Sequence, residues 1–185
     1  MVTTPSPDLT VVRDILQGVP FFKELARPEL DLIVALGHVV AYPKDMVLFK
    51  EGDKGEALYV VIDGAVRITK RSLGQSEGII AYIERGGCFG EMALVDDFPR
   101  SAAAISHEDS VVLFVEREAI FDLFEANPVI ARKILWAFCR SLSLRLREAS
   151  DRIVALSSFT RPFKQAAERG PSAALARSRG VATYA

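Results

Sequence analysis

The sequence is poor in the residues that make covalent or metal chemistry the first expectation. It has two cysteines, Cys88 and Cys139, far apart and outside any CxxC pair. It has two histidines, His38 and His107, without metal-ligand spacing. This pattern excludes a disulfide framework and a zinc-finger type of site, and it fits a reducing compartment. Both cysteines read as small buried hydrophobes. His38 reads as the first residue of a strand and His107 as a loop residue. No apolar run approaches the roughly 20 residues that a membrane span needs. The first eight residues have no basic start and no apolar signal core, only Pro5 and Pro7 among polar neighbours. The expected location is cytoplasmic, with no membrane contact. A formal net charge of −1 excludes a surface built wholly for nucleic acid, though not a local basic patch.

What is present is an ordinary globular composition. The chain has 185 residues, half of them hydrophobic and a quarter charged, enough for one domain with a core and some additional chain. The hydrophobic period changes twice. Asp8 or Thr10 caps a short helix through Leu16 that Gly18 ends, and Pro28 opens a second helix with Leu30, Ile33, Val34 and Leu36 on one face. From His38 the pattern becomes that of strands: 39–42, 46–49, 58–62, 66–69, 79–83, 102–106 and 111–115. Pro43, Gly52, Gly55 and Gly64 lie in the breaks. Asp63-Gly64 predicts a hairpin. About eight short strands argue for a β-sandwich or barrel. From Glu116 the period is helical again, with a break at Asn127-Pro128. The longest helix then runs to about Ile153. Leu135, Phe138, Leu142, Leu146, Ala149, Ile153 and Leu156 form a stripe of coiled-coil type, longer than one small barrel covers, which predicts a homodimer. Residues 157–185 are basic (Arg161, Lys164, Arg169, Arg177, Arg179) and expected to be loosely structured, with at most a short helix over 162–168. The expected division is 1–18, an N-terminal segment; 19–126, a jelly roll with flanking helices; 127–156, the long helix; and 157–185, the tail.

The most informative stretch is Gly86-Gly87-Cys88-Phe89-Gly90-Glu91-Met92-Ala93-Leu94, closed by Pro99-Arg100-Ser101-Ala102. Its glycines let the backbone approach a ligand and present N–H groups. Glu91 is an acceptor suited to a sugar hydroxyl, and Arg100 offers a planar fork suited to a phosphate. Ser101 adds a hydroxyl. Met92, Ala93 and Leu94 predict a short helical turn buried in a core. By residue type alone, the same stretch also reads as a solvated turn with a surface ion pair. A nucleophile set of Ser101, His107 and Asp109 is disfavoured because no nucleophile elbow frames Ser101. The chain therefore does not read as an enzyme.

The pattern F-G-E-x-A-L followed by P-R-S-A resembles the phosphate-binding cassette of cyclic-nucleotide-binding domains. This family includes the bacterial catabolite activator protein, cAMP-dependent kinase regulatory subunits and cyclic-nucleotide-gated channels. The sequence Phe21-Phe22-x-x-Leu25, then Leu30-x-x-Ile33, also resembles the family's N-terminal helical segment. The resemblance covers about residues 19–154 and implies an α+β fold. That fold is a β-jelly roll of about eight strands, with N-terminal helices and a long C-terminal helix. It makes Arg100 the partner of a cyclic phosphate, with Ser101 and backbone N–H groups around Gly90, Met92, Ala93 and Ala102. It makes Glu91 the acceptor for the ribose 2′-hydroxyl. Ile80 and Tyr82 line the base pocket or pack in the core. Arg145 and Ser150 are the polar positions of the long helix nearest to where relatives reach the purine, and Ala149 stands where a hydroxyl is wanted. The implied ligand is cAMP, with cGMP as the lesser choice, and no metal. The long helix pairs two subunits. In the transcription-factor branch a winged helix-turn-helix follows this helix; the residues after it here are too few for one. The expectation is a stand-alone sensor that acts on an unknown protein effector, without sequence-specific DNA binding. The alternative is a nucleotide-independent scaffold or dimerisation module with a vestigial pocket.

Overall fold

The structure, a computed structural model, describes residues 8–71 and 77–168, with side chains left out at 93, 94 and 156–168. Two helices precede the strands. Helix α1 (Leu9–Gly18) starts where Asp8 accepts the Thr10 N–H at 2.8 Å, the expected cap. Helix α2 (Arg27–Leu36) has Pro28 in its first turn, and the Glu29 carboxylate accepts the Ala26 N–H at 2.7 Å.

Eight strands follow: β1 (His38–Tyr42), β2 (Val47–Phe49), β3 (Ala57–Asp63), β4 (Ala65–Arg71), β5 (Glu77–Glu84), β6 (Cys88–Phe89), β7 (Ala103–Ser106) and β8 (Ser110–Glu116). They form two antiparallel four-stranded sheets, β1-β8-β3-β6 and β2-β7-β4-β5. This is the jelly roll that the sequence predicted. Strand β6, two residues inside the glycine-rich stretch, was not predicted because it is too short to show alternation. The Asp63-Gly64 hairpin is corrected. Strands β3 and β4 lie in different sheets, so this turn carries the chain from one sheet to the other. Gly64 has φ +80°, and a Cβ there would meet the Asp109 carbonyl oxygen at 2.6 Å. The buried Ser110 hydroxyl accepts the Ala65 N–H at 3.2 Å and donates to its carbonyl at 3.0 Å, which satisfies the crossing.

Alternation along β3 and β8 divides the core. Leu58, Val60, Ile62, Leu113 and Val115 face the helices and pack with residues such as Leu16, Phe22, Leu30 and Ile120. Val61 and Val112 face the other sheet and meet Val66, Phe89 and Ala104. The second cluster is small, and its edge is filled by half-buried Tyr42, Phe49, Tyr59, Ile68 and Ile83.

After β8 come α3 (Arg117–Ala126) and α4 (Pro128–Glu168), broken at Asn127-Pro128 as expected. Helix α4 runs beyond its predicted end near Ile153. No glycine or proline lies between Ile153 and Arg161, so nothing in the sequence stops it there. Arg161 and Lys164 of the basic tail are therefore on the helix; residues 169–185 lie outside the described residues. Residues through Cys139 belong to one compact unit and those from Arg140 to a second. In the first, Ile130, Ile134 and Phe138 join the helix-facing core, with Phe138 against Phe21 at 5.4 Å between centroids. In the second, Leu142, Leu144, Leu146, Ile153 and Val154 are exposed. Cys88 is buried as predicted; Cys139 is exposed because Phe138, beside it, takes the inward position. Among the described residues no helix is long and apolar enough to cross a membrane.

One ion pair fixes the first turns of α4 to α2. Lys133 Nζ donates to both Glu29 oxygens, at 2.8 and 2.6 Å, with both side chains largely covered. Lys133, and then the Ala26 N–H, hold the Glu29 carboxyl below its ordinary value of 4.5. A depressed acid stabilises the fold above its unfolded value, and that contribution is lost as pH falls through the folded value. The expected result is that Glu29→Gln lowers the melting temperature at pH 7 and that the difference from wild type shrinks below about pH 4.5. Thermal melts from pH 7 to pH 3 check this; a constant difference across that range contradicts it.

Candidate functional site

Arg100 lies between the cassette's helical turn and β7, and its backbone is tied to the turn after β2. Its N–H donates to Asp53 O at 2.8 Å, and its carbonyl accepts the Gly52 N–H at 2.9 Å. Its side chain, only 8% exposed, runs inward. Nη1 donates to Gly90 O at 3.0 Å and Nη2 to Ala57 O at 2.8 Å. The guanidinium carbon sits 4.3 Å from the Phe49 ring centroid and 5.5 Å from that of Tyr59. A desolvated cation over aromatic faces gains about 2 kcal/mol or more. The rings are themselves braced: Tyr59 stacks on Phe89 at 5.1 Å, and Phe49 is tilted 5.4 Å from Tyr59.

The cage leaves the arginine incomplete. Its Nε–H is buried and has no hydrogen-bond partner. None of the ion pairs among the described residues involves it. Burial pulls the guanidinium below its ordinary pKa, while Tyr59, Glu91 and Asp53 act in the opposite direction. Burial likewise pushes the Tyr59 hydroxyl up, and Arg100 opposes it. A buried donor left unpaired costs roughly 1–3 kcal/mol. A cation over carbonyls and rings with one donor open is the chemistry of a site for an anion.

Gly90 makes this arrangement possible in two ways. Its φ of +75° is left-handed, and a Cβ there would meet Arg100 Nη1 at 2.8 Å and Ala57 O at 3.1 Å. Glu91, 5% exposed, begins the short 3-10 turn Glu91–Leu94 and lies within electrostatic reach of Arg100. Ala102 is buried beneath the loop. Ser101 is exposed; its hydroxyl points toward Met92 Sδ at 3.9 Å, and its carbonyl accepts from Lys70 Nζ at 2.8 Å. The sequence expectation of a buried turn is corrected at Met92, which is 47% exposed because it points away from the core-facing side of a single 3-10 turn. The side chains of Ala93 and Leu94 lie outside those described.

The structure thus brings together Gly90, Glu91, Arg100, Ser101 and Ala102. It places Ile80 and Tyr82 differently. They are 60% and 50% exposed, and Tyr82 meets His107 edge-on at 4.8 Å, so core packing does not account for either. Ile83 is the β5 residue that reaches the inter-sheet cluster. Arg145 and Ser150 lie on α4 in the second unit, where the Ser150 hydroxyl donates to the Leu146 carbonyl at 2.9 Å. Sequence reasoning missed Phe49, Tyr59 and Lys70. An aromatic in a strand is also what a core needs, so no motif separates the two roles.

The cyclic nucleotide-binding domain model matches residues 39–127. The chain is 37% identical over 142 residues to the cyclic AMP receptor protein of Thermus thermophilus, which covers 77% of this chain and 64% of that one. The crystal structure of the Thermus thermophilus catabolite activator protein aligns with a TM-score of 0.67 over 75% of this chain and 63% of that one, at 37% identity. A cyclic nucleotide-binding domain from Methylobacillus flagellatus aligns with a TM-score of 0.69 at 27% identity, over 79% of this chain and 82% of that one. Mouse cGMP-dependent protein kinase 2 is 26% identical over 175 residues, 82% of this chain and 23% of the kinase. The chain thus spans less than two thirds of the Thermus relative and about a quarter of the kinase. The jelly roll, the caged arginine beside Gly90-Glu91 and these matches agree: the chain belongs to the cyclic nucleotide-binding domain family.

Proposed function

We propose that the chain is a cyclic-nucleotide sensor that binds cAMP and relays binding through α4 to a protein partner. The observation that carries the reading is the buried Arg100 guanidinium with an Nε–H that has no hydrogen-bond partner. A singly charged cyclic phosphate supplies both the missing acceptor and a negative charge. Ser101, exposed beside it, and the backbone N–H groups of residues 90–92 and 102 complete the phosphate contacts. Lys70, whose ammonium already reaches the Ser101 carbonyl, adds a second positive charge at the entrance. Glu91 accepts from the ribose 2′-hydroxyl. The preference for cAMP is supported by the Thermus relative, a cyclic AMP receptor protein; the match to a cGMP-dependent kinase makes cGMP the competing ligand. The site binds and releases its ligand without chemical change.

A ligand shifts a conformational equilibrium only by its difference in affinity between the two states. Asn127-Pro128 is the joint on which such a shift acts, because it separates α3 from α4. Exposed Leu142, Leu146 and Ile153, spaced by four and seven, form the seam of a homodimer through α4. Arg145 and Ser150 on the same helix are the proposed contacts to the purine.

Calorimetric titration of nucleotide-stripped protein tests the ligand. The expected result is saturable cAMP binding that is weaker for 2′-deoxy-cAMP. Arg100→Ala should weaken it by roughly thirtyfold to several thousandfold, the equivalent of about 2–5 kcal/mol. Full-strength binding to the Arg100→Ala variant contradicts the reading, and no heat with either nucleotide moves it to a scaffold. Sedimentation tests the dimer: Leu146→Lys should sediment as a monomer where the parent chain is dimeric, and an unchanged dimer rules out the α4 seam.

A further inference from the structure

A cavity of about 800 Å³ opens where the start of α3 meets β1, β3 and β8. Gly90, Glu91, Arg100 and Ser101 do not border it, although Ala57 and Tyr59 belong to both its wall and the arginine cage. Its volume is within the roughly 300–1,000 Å³ usual for small-ligand pockets.

The walls are aromatic, contributed by Tyr42, Tyr59, Phe114 and Phe121. Burial, and then the neighbouring Tyr59, push the Tyr42 hydroxyl's pKa up. The rim is charged, and its cations are already engaged: Lys54 pairs with Glu56 at 2.8 Å, and Arg117 pairs with Asp97. Glu116, Glu118 and Asp122 remain, all exposed and without an ion pair among the described residues. Glu118 and Asp122 are one helical turn apart on α3, which sets their Cβ atoms about 6 Å from each other.

This combination selects a ligand class. Surplus carboxylates repel a second nucleotide. The carboxylates are spread along the rim, and among the described residues no three acidic, histidine or cysteine side chains converge into a group that could hold a metal ion. Ring faces accept alkyl chains and the ammonium groups attached to them, and spaced carboxylates pair with spaced cations. We infer that the cavity binds a linear organic polycation of the polyamine class, with its methylenes against the Tyr42 and Phe114 rings and its ammonium groups on Glu116, Glu118 and Asp122. The two sites share Ala57 and Tyr59 but take their charged contacts from different residues, so failure of one reading does not decide the other.

Titration of the full chain with spermidine in moderate salt, read by calorimetry and by amide NMR, tests it. Saturable binding is expected, with amide shifts centred on the start of α3 and on Tyr42 and Phe114. The double variant Glu118→Gln with Asp122→Asn changes two exposed residues and should keep the circular dichroism of the parent. It should bind about tenfold more weakly, the loss that two surface charge contacts give. Phe114→Leu should weaken binding without changing the rim charge. Unchanged affinity in the double variant overturns the inference, as does equal competition by magnesium, which would mean diffuse counter-ion binding. Absence of saturation by about 1 mM spermidine also overturns it. An arginine-bearing peptide that binds a hundredfold more tightly than spermidine overturns the small-ligand assignment and makes the cavity a protein-docking site.

Discussion

The buried positive charge of Arg100 is the constraint on which the rest of the site depends. A guanidinium inside a protein loses its water and must recover that loss from fixed partners. Here its nearest partners are two backbone carbonyls and two aromatic faces, which hold the side chain in place and carry no formal charge themselves. Each partner comes from a different part of the chain. Phe49 ends β2, Ala57 and Tyr59 begin β3, and Gly90 follows β6. The cage therefore exists only when both sheets are formed, and the crossing at Asp63-Gly64 carries the chain from one to the other.

The same organisation joins the site to the helical layer. The helix-facing side of β3 and β8 is continuous with α1, α2, α3 and the first turns of α4 through one apolar cluster. The opposite side of β3 carries Tyr59 beneath Arg100. Strand β3 therefore has the arginine cage on one face and the helical layer on the other. The Glu29–Lys133 pair adds a polar tie across that layer. A packed core transmits strain because it has little free volume to absorb it. Tyr59, beneath Arg100, and Leu58, in the helix-facing core, are adjacent along this one strand.

The sequence disclosed some of this and hid the rest for physical reasons. The cassette was legible because glycine, acid and arginine stand at spacings that few other structures require. A β-sandwich or barrel was legible because short strands alternate with turn residues, the jelly roll only through the family resemblance, and the α3–α4 break because proline marks it. Strand β6 was hidden by its length. The Asp63-Gly64 turn was misread because a sheet crossing and a hairpin use the same left-handed glycine; only pairing distinguishes them. Phe49 and Tyr59 were hidden because their alternation places them on the inter-sheet face, where an aromatic is indistinguishable from core. Exposure of Met92 and Tyr82 was hidden because an apolar side chain carries no mark of which neighbour is missing.

The most direct test of the account follows the Arg100 side chain itself by NMR, through the Nε–H resonance during titration with cAMP. The account predicts a downfield shift and slower solvent exchange of that proton as the site saturates, because the phosphate supplies its missing acceptor. Saturation of the protein by cAMP with the Arg100 resonance unchanged would contradict it.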